Sequence, residues 1–139
     1  MKFSPNASPI LLATFLLAAC GAKTSDEQQV RALIDEVETA AEARDASDVL
    51  EHVAETYTDS GGLDKTQLRH FLRGYFLAHP RLELAVNIES LEFPVDGLAQ
   101  AVISVTTVEL TDPNRQQLKV EFRRSEGAWQ VARADRLVR

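Results

Sequence analysis

Cysteine occurs once in the 139 residues, as do tryptophan and methionine, with two tyrosines and three histidines. A lone cysteine excludes an internal disulfide and any cluster of thiolate metal ligands. His52, His70 and His79 include no pair at the i, i+4 spacing that lets one helix face grip a metal, so no metal is expected. The segment "DSGGLD" has two acids around glycines but lacks the regular oxygen ligands and closing glutamate of a calcium loop. An excess of positive charge is also missing: 21 acidic residues face 15 basic ones, for a formal net charge of −6. Binding to nucleic acid relies on neutralising phosphates, so no nucleic-acid partner is expected. No apolar run reaches the roughly 20 residues that a membrane-spanning helix requires. There is no internal repeat or low-complexity tract, and nothing calls for a cofactor. What remains is a single globular domain of ordinary composition.

The N-terminus is the most specific stretch. In "PILLATFLLAACGAKTS", Ile10 to Leu17 form a short apolar run behind Lys2, and Ala18 and Ala19 precede Cys20. This anatomy predicts an export signal over residues 1–19. Leu17-Ala18-Ala19-Cys20 resembles a bacterial lipobox. The resemblance implies lipidation of Cys20, a tether over 20–25 and a folded domain over 26–139. The lipid bilayer then becomes a partner through Cys20, and the thiol is consumed as a nucleophile. Several acyl chains on one residue anchor firmly, because each buried methylene adds about 0.8 kcal/mol. The expected location is the bacterial cell envelope, facing the periplasm. Gly21 in place of an aspartate favours the outer membrane over the inner one.

Charge is uneven beyond that point. Cys20 to Ser90 carry 14 acidic and 7 basic residues, and Leu91 to Arg139 carry 7 of each. The arginine-rich end, from Arg115 onward, reads first as solvated outer positions on strands.

Three helices come first. Ser25 with Gln28 matches a capping box, and Val30, Leu33, Ile34, Val37 and Ala41 recur at helical spacing to about Arg44. Asp45 or Ser47 caps a short second helix with Val49, Leu50 and Val53 on its apolar face. In "DKTQLRHFLRGYFLAHP", Leu68, Phe71, Leu72, Tyr75 and Phe76 share a face, Asp64 is the N-cap and Pro80 stops the helix. The period then becomes two. Leu82, Leu84, Val86 and Ile88 alternate, and Leu91 and Phe93 continue on the opposite parity, which predicts a bulge near Glu89-Ser90. Asp96-Gly97 signals a hairpin. Further strands follow over about Leu98 to Leu110, around Leu118 to Phe122, and around Trp129 and Val131. The fold class is therefore α+β, with three N-terminal helices packed on a curved antiparallel sheet of about four strands.

This order, closing on a "GAWQV" strand, resembles the nuclear transport factor 2-like superfamily, whose cystatin-like domains curl a sheet around a helix into a cone. The resemblance spans nearly the whole domain. "YTDSGGLDKTQLRHFLRGYFLAHP" is further similar to a stretch of uncharacterised proteobacterial lipoproteins of that superfamily. It implies a cone pocket, and a carboxylate after the second helix where the superfamily's isomerases and dehydratases carry theirs. Asp59 stands there, with Tyr57 two residues away and Tyr75 on the third helix.

A lyase or isomerase would use Asp59 as base with Tyr57 or Tyr75 stabilising the oxyanion. No full acid–base set is evident, and Asp59 before Gly61-Gly62 reads more simply as a turn residue, with Tyr75 as a core ring. Arg69 and Arg73 stand one turn apart beside the apolar face, as ligands for an anion or as solvated charges. Gly74 costs about 1 kcal/mol inside a helix, which a close strand or a ligand would explain. The leading reading is a non-enzymatic module that binds a small apolar or amphipathic ligand or a protein partner, with pairing of two copies through the sheet as a further option.

Overall fold

The computed structural model describes residues 24–108 and 113–137. The expected export signal over residues 1–19 and Cys20 lie outside the described residues. Helix α1 spans Asp26–Glu42, α2 Ala46–Glu51 and α3 Lys65–Ala78. Strands β1 (Leu84–Val95), β2 (Leu98–Thr107), β3 (Asn114–Ser125) and β4 (Ala128–Leu137) form one antiparallel meander in the order β1-β2-β3-β4. The chain is α+β, three helices on a curved four-stranded sheet.

The helix ends are set by short-range chemistry. Ser25 Oγ accepts from the Gln28 amide while Gln28 Oε1 accepts from the Ser25 amide, closing the expected capping box. Asp64 and Gln67 form the same reciprocal pair at the start of α3, and Asp45 caps α2. The first helix stops two residues short of Arg44, which sits at φ 57 and turns the chain into α2.

Helix α1 lies across the sheet. Its Val30, Leu33 and Ile34 pack with Ala99, Ala101, Ile103, Val120, Phe122 and Trp129. At its far end, Ala40 meets Ala46, Val49, Phe76 and Leu82, joining all three helices. The α1 N-terminus is tied down by Arg124, which donates to Asp26 at 2.8 Å and to Asp96 at 2.6 Å; Trp129 Nε1 also donates to Asp26.

Three register shifts shape the sheet; one lies between Glu92 and Val95, next to the β1–β2 turn. In β1 the pairing skips from Ile88↔Ile103 to Ser90↔Val102, which leaves Glu89 extra where the change of parity predicts it. In β4 it skips from Glu121↔Arg133 to Phe122↔Val131, which leaves Ala132 extra. The β4 bulge coincides with a docked segment. The chain between α2 and α3 pairs with the outer edge of β4, with Val131 donating to the His52 carbonyl, and Ala54 and Thr58 donating to the carbonyls of Val131 and Ala132. That docking pairs the outer edge of β4 at Val131 and Ala132. Strand β2 ends at Thr107, earlier than its β-rich sequence through Leu110 suggests.

Helix α3 departs from the sequence expectation. Of its five apolar-face residues only Phe76 is buried, and Phe71 stays 55% exposed. Gly74 is on an exposed stretch of this helix, and no atom outside the helix lies within 4 Å of where its Cβ would be. No strand approach explains the glycine. Gly74→Ala is therefore expected to raise stability by about 0.5–1 kcal/mol, because alanine loses less backbone freedom on folding. Thermal denaturation of the pair of proteins checks this, and an unchanged or lower Tm would show that the glycine is needed.

Candidate functional site

Because α3 does not close onto the sheet, a cavity of about 920 Å³ lies between them. Its apolar wall includes Leu68, Phe71, Leu72 and Tyr75 of α3, with Leu84, Val105, Leu118 and Ala134 from the strands. Its polar lining includes Tyr57, Asp59, His79, Asn114, Gln116 and Arg136. The apolar face of α3 thus does both: Phe76 joins the buried cluster between the helices, with Leu72 and Tyr75 against it, while Leu68, Phe71, Leu72 and Tyr75 also line the cavity. Tyr75 is half-buried, stacked between Phe71 and His79 with ring centroids 6.1 and 4.0 Å away. His79 Nδ1 lies 2.8 Å from the Tyr75 carbonyl, which fixes the imidazole against the ring.

The structure brings Tyr57 and Asp59 together on the cavity lining. Tyr57 is 5% exposed and its hydroxyl donates to Asp59 Oδ2 at 3.2 Å. Burial, then the neighbouring carboxylate, push the Tyr57 hydroxyl well above the ordinary tyrosine range, so it stays protonated. Asp59 Oδ1 accepts from the Leu63 amide at 3.0 Å, and the Asp59 carbonyl accepts from Gly62, whose φ of 81 completes the turn. Both carboxylate oxygens therefore have partners in the turn itself. Asp135 accepts from the Ser60 amide at 2.7 Å and pairs with Arg133, tying the turn to β4.

Arg69, Arg73 and Gly74 are exposed and do not line the cavity. Arg136, which the sequence did not single out, does. It stands opposite Leu118 in the β3–β4 register, so the two share the concave face. The Ala132 bulge produces this. Trp129 and Val131 point inward at odd positions, and beyond the bulge the inward set becomes Ala134 and Arg136. The signal in sequence is that change of parity, which the polar residues of "VARADRLVR" largely hide.

Three carboxyls on the strands and the α2–α3 side have pKa values held below the usual range. Glu55 is lowered by its hydrogen bond from Lys65, and Glu89 by that from Gln117. Burial pushes Asp135 up, but hydrogen bonds from Arg133 and Ser60 outweigh it and the net shift is downward. Glu38 moves the other way, raised by burial. A carboxyl with a lowered folded-state pKa stabilises the fold above the unfolded value and stops doing so as pH falls. Three lowered groups against one raised predict a Tm that drops below about pH 4. A Tm level between about pH 7 and pH 3 would contradict this.

No protein-family model matches the chain, and no curated protein sequence does either. Solved structures do match. A domain of unknown function with a cystatin-like fold from Nostoc punctiforme superposes with a TM-score of 0.71 at 14% identity, covering 84% of this chain and 78% of that one. The chain has the nuclear transport factor 2-like fold. An NTF2-like protein of unknown function from Shewanella oneidensis, 14% identical, has a TM-score of 0.66 over 81% of this chain and 98% of its own. A second cystatin-like protein of unknown function from Nostoc punctiforme, 19% identical, reaches 0.63 over 80% and 89%. At these identities the likeness is one of fold alone.

Proposed function

We propose that this chain is a non-enzymatic, small-ligand-binding domain of the NTF2-like fold, held at a bacterial envelope membrane through lipidated Cys20 and facing the periplasm. The observation that carries the binding role is the cavity between α3 and the sheet. Its volume of about 920 Å³ lies near the top of the range of 300–1,000 Å³ usual for small-molecule sites. Its wall is mainly apolar with a few polar groups among the lining residues, a composition that suits an apolar or amphipathic guest.

Anchoring fits this reading geometrically. From Cys20 the chain reaches Ser25 in at most roughly 18 Å even when fully extended. The 17 residues of α1 then run about 25 Å, from the Asp26 end to Ala41 on the cavity wall. The start of α1, where the proposed tether joins the domain, is the end of that helix away from the cavity wall. Catalysis by Asp59 is the weaker reading, because its oxygens and the Tyr57 hydroxyl are engaged with one another and with the Leu63 amide.

Native mass spectrometry of residues 21–139, expressed unlipidated in a bacterial host and purified gently, tests the binding role. One small molecule retained per chain is the expected result. A chain that emerges empty and whose Tm no apolar compound shifts would remove the ligand role. For the anchor, Cys20→Ala is expected to move the protein from the membrane to the soluble fraction of the envelope.

A further inference from the structure

Five arginines in β3 and β4 form a natural comparison set. Arg115 pairs with Glu89, Arg123 with Glu121, Arg124 with Asp26 and Asp96, and Arg133 with Asp135. Arg136 alone has no carboxylate within 4 Å among the described residues, and it is the one that, though exposed, the Ala132 bulge puts on the cavity-lining face at the rim. Asp59, the one carboxylate among the described cavity-lining residues, already accepts from Tyr57 and Leu63. Gln116 stands two residues from Leu118 on the same face of β3 and adds an amide to that end of the lining.

We propose that the cavity takes an amphipathic anion, its oxyanion held by Arg136 and its apolar body laid along Leu68, Phe71 and Leu72. This rests on the cavity being a ligand site. The guanidinium presents a planar fork of donors that matches a carboxylate or phosphate. An arginine at a rim costs little while it is hydrated, and it gains a strong, charge-assisted hydrogen bond when an oxyanion arrives beside an apolar wall that displaces water. The exposed ring of Phe71 and the half-buried Leu68 and Leu72 give the chain of such a ligand a surface to cover. A cationic or purely apolar guest would leave Arg136 facing the bound molecule without a partner.

The test titrates three probes of one chain length, namely dodecanoate, dodecan-1-ol and dodecyltrimethylammonium, below their micelle-forming concentrations. The protein is residues 21–139, which carry every described helix and strand. Dodecanoate is expected to bind tightest. Arg136→Gln is expected to weaken dodecanoate about tenfold, the scale of one lost charge-assisted hydrogen bond. It should leave dodecan-1-ol within about twofold, and Arg136→Lys should restore part of the loss. Circular dichroism of each variant shows that the fold is kept. If dodecan-1-ol or the ammonium probe binds as tightly as dodecanoate and Arg136→Gln changes nothing, the anion preference is wrong while the cavity still binds. If none of the three binds the unsubstituted domain, both the preference and the ligand role fall.

Discussion

Phe122→Ala is expected to destabilise the domain by about 3–5 kcal/mol, the cost of removing a buried aromatic ring and leaving a cavity. Phe122 is 1% exposed and stands at the middle of the sheet, paired with Ala99 on one side and Val131 on the other. It belongs to the cluster in which Val30, Leu33 and Ile34 of α1 meet the strands. Its neighbours on β2, Ala99 and Ala101, are too small to fill the gap, and both are themselves essentially buried. With two-state unfolding, a loss of this size lowers Tm by roughly 10 °C or more for a domain of this length. Ligand binding is expected to weaken less than stability, since Phe122 is not among the cavity's described lining residues. A Tm drop of less than about 3 °C would mean that α1 does not pack on the sheet as described.

The second large effect is at Tyr57, and it separates structure from catalysis. Tyr57→Ala is expected to cost about 3 kcal/mol or more, because the ring fills the cluster with Leu50 and Val53, against Leu68, Leu72, Val131 and Ala134. Tyr57→Phe keeps the ring and removes only the hydroxyl that Asp59 accepts from, so its cost is expected near 1 kcal/mol. Asp59→Ala removes the acceptor for both Tyr57 and the Leu63 amide and is expected to cost about 1–2 kcal/mol. A role in chemistry predicts the reverse pattern, with Tyr57→Phe and Asp59→Asn stable but inactive on some substrate. Chemical denaturation of these four variants tells the two apart.

The parts of the fold that rest on local chemistry could be read from the chain. Ser25 with Gln28 and Asp64 with Gln67 satisfy backbone donors within one turn, so their spacing alone marks the helix starts. The shift of apolar parity at Glu89 announces the β1 bulge for a similar reason, since both halves of that strand must keep one face on α1. What could not be read depends on distant partners. Helical spacing tells that Leu68, Phe71, Leu72 and Tyr75 share a face, but a face that fills a core and one that walls a cavity have the same period. The β4 bulge is matched by the docking of the chain around His52 to Thr58, which no local pattern encodes. Arg136 follows from that bulge, so the sequence pointed to Arg69 and Arg73, one turn apart on α3, which the fold leaves outside the cavity.

A ligand bound in the space between α3 and the sheet would change the surroundings of the backbone that lines it. Backbone amide chemical shifts of the isotope-labelled domain, followed by NMR as dodecanoate is added, test this binding most directly. Perturbations confined to the cavity wall are expected, on Leu68, Phe71, Leu72, Tyr75, His79, Val105, Gln116, Leu118, Ala134 and Arg136. Perturbations confined to Phe93 and Val95 near the start of α1, or to the outer face around Lys119 and Glu121, would contradict it, as would none at all.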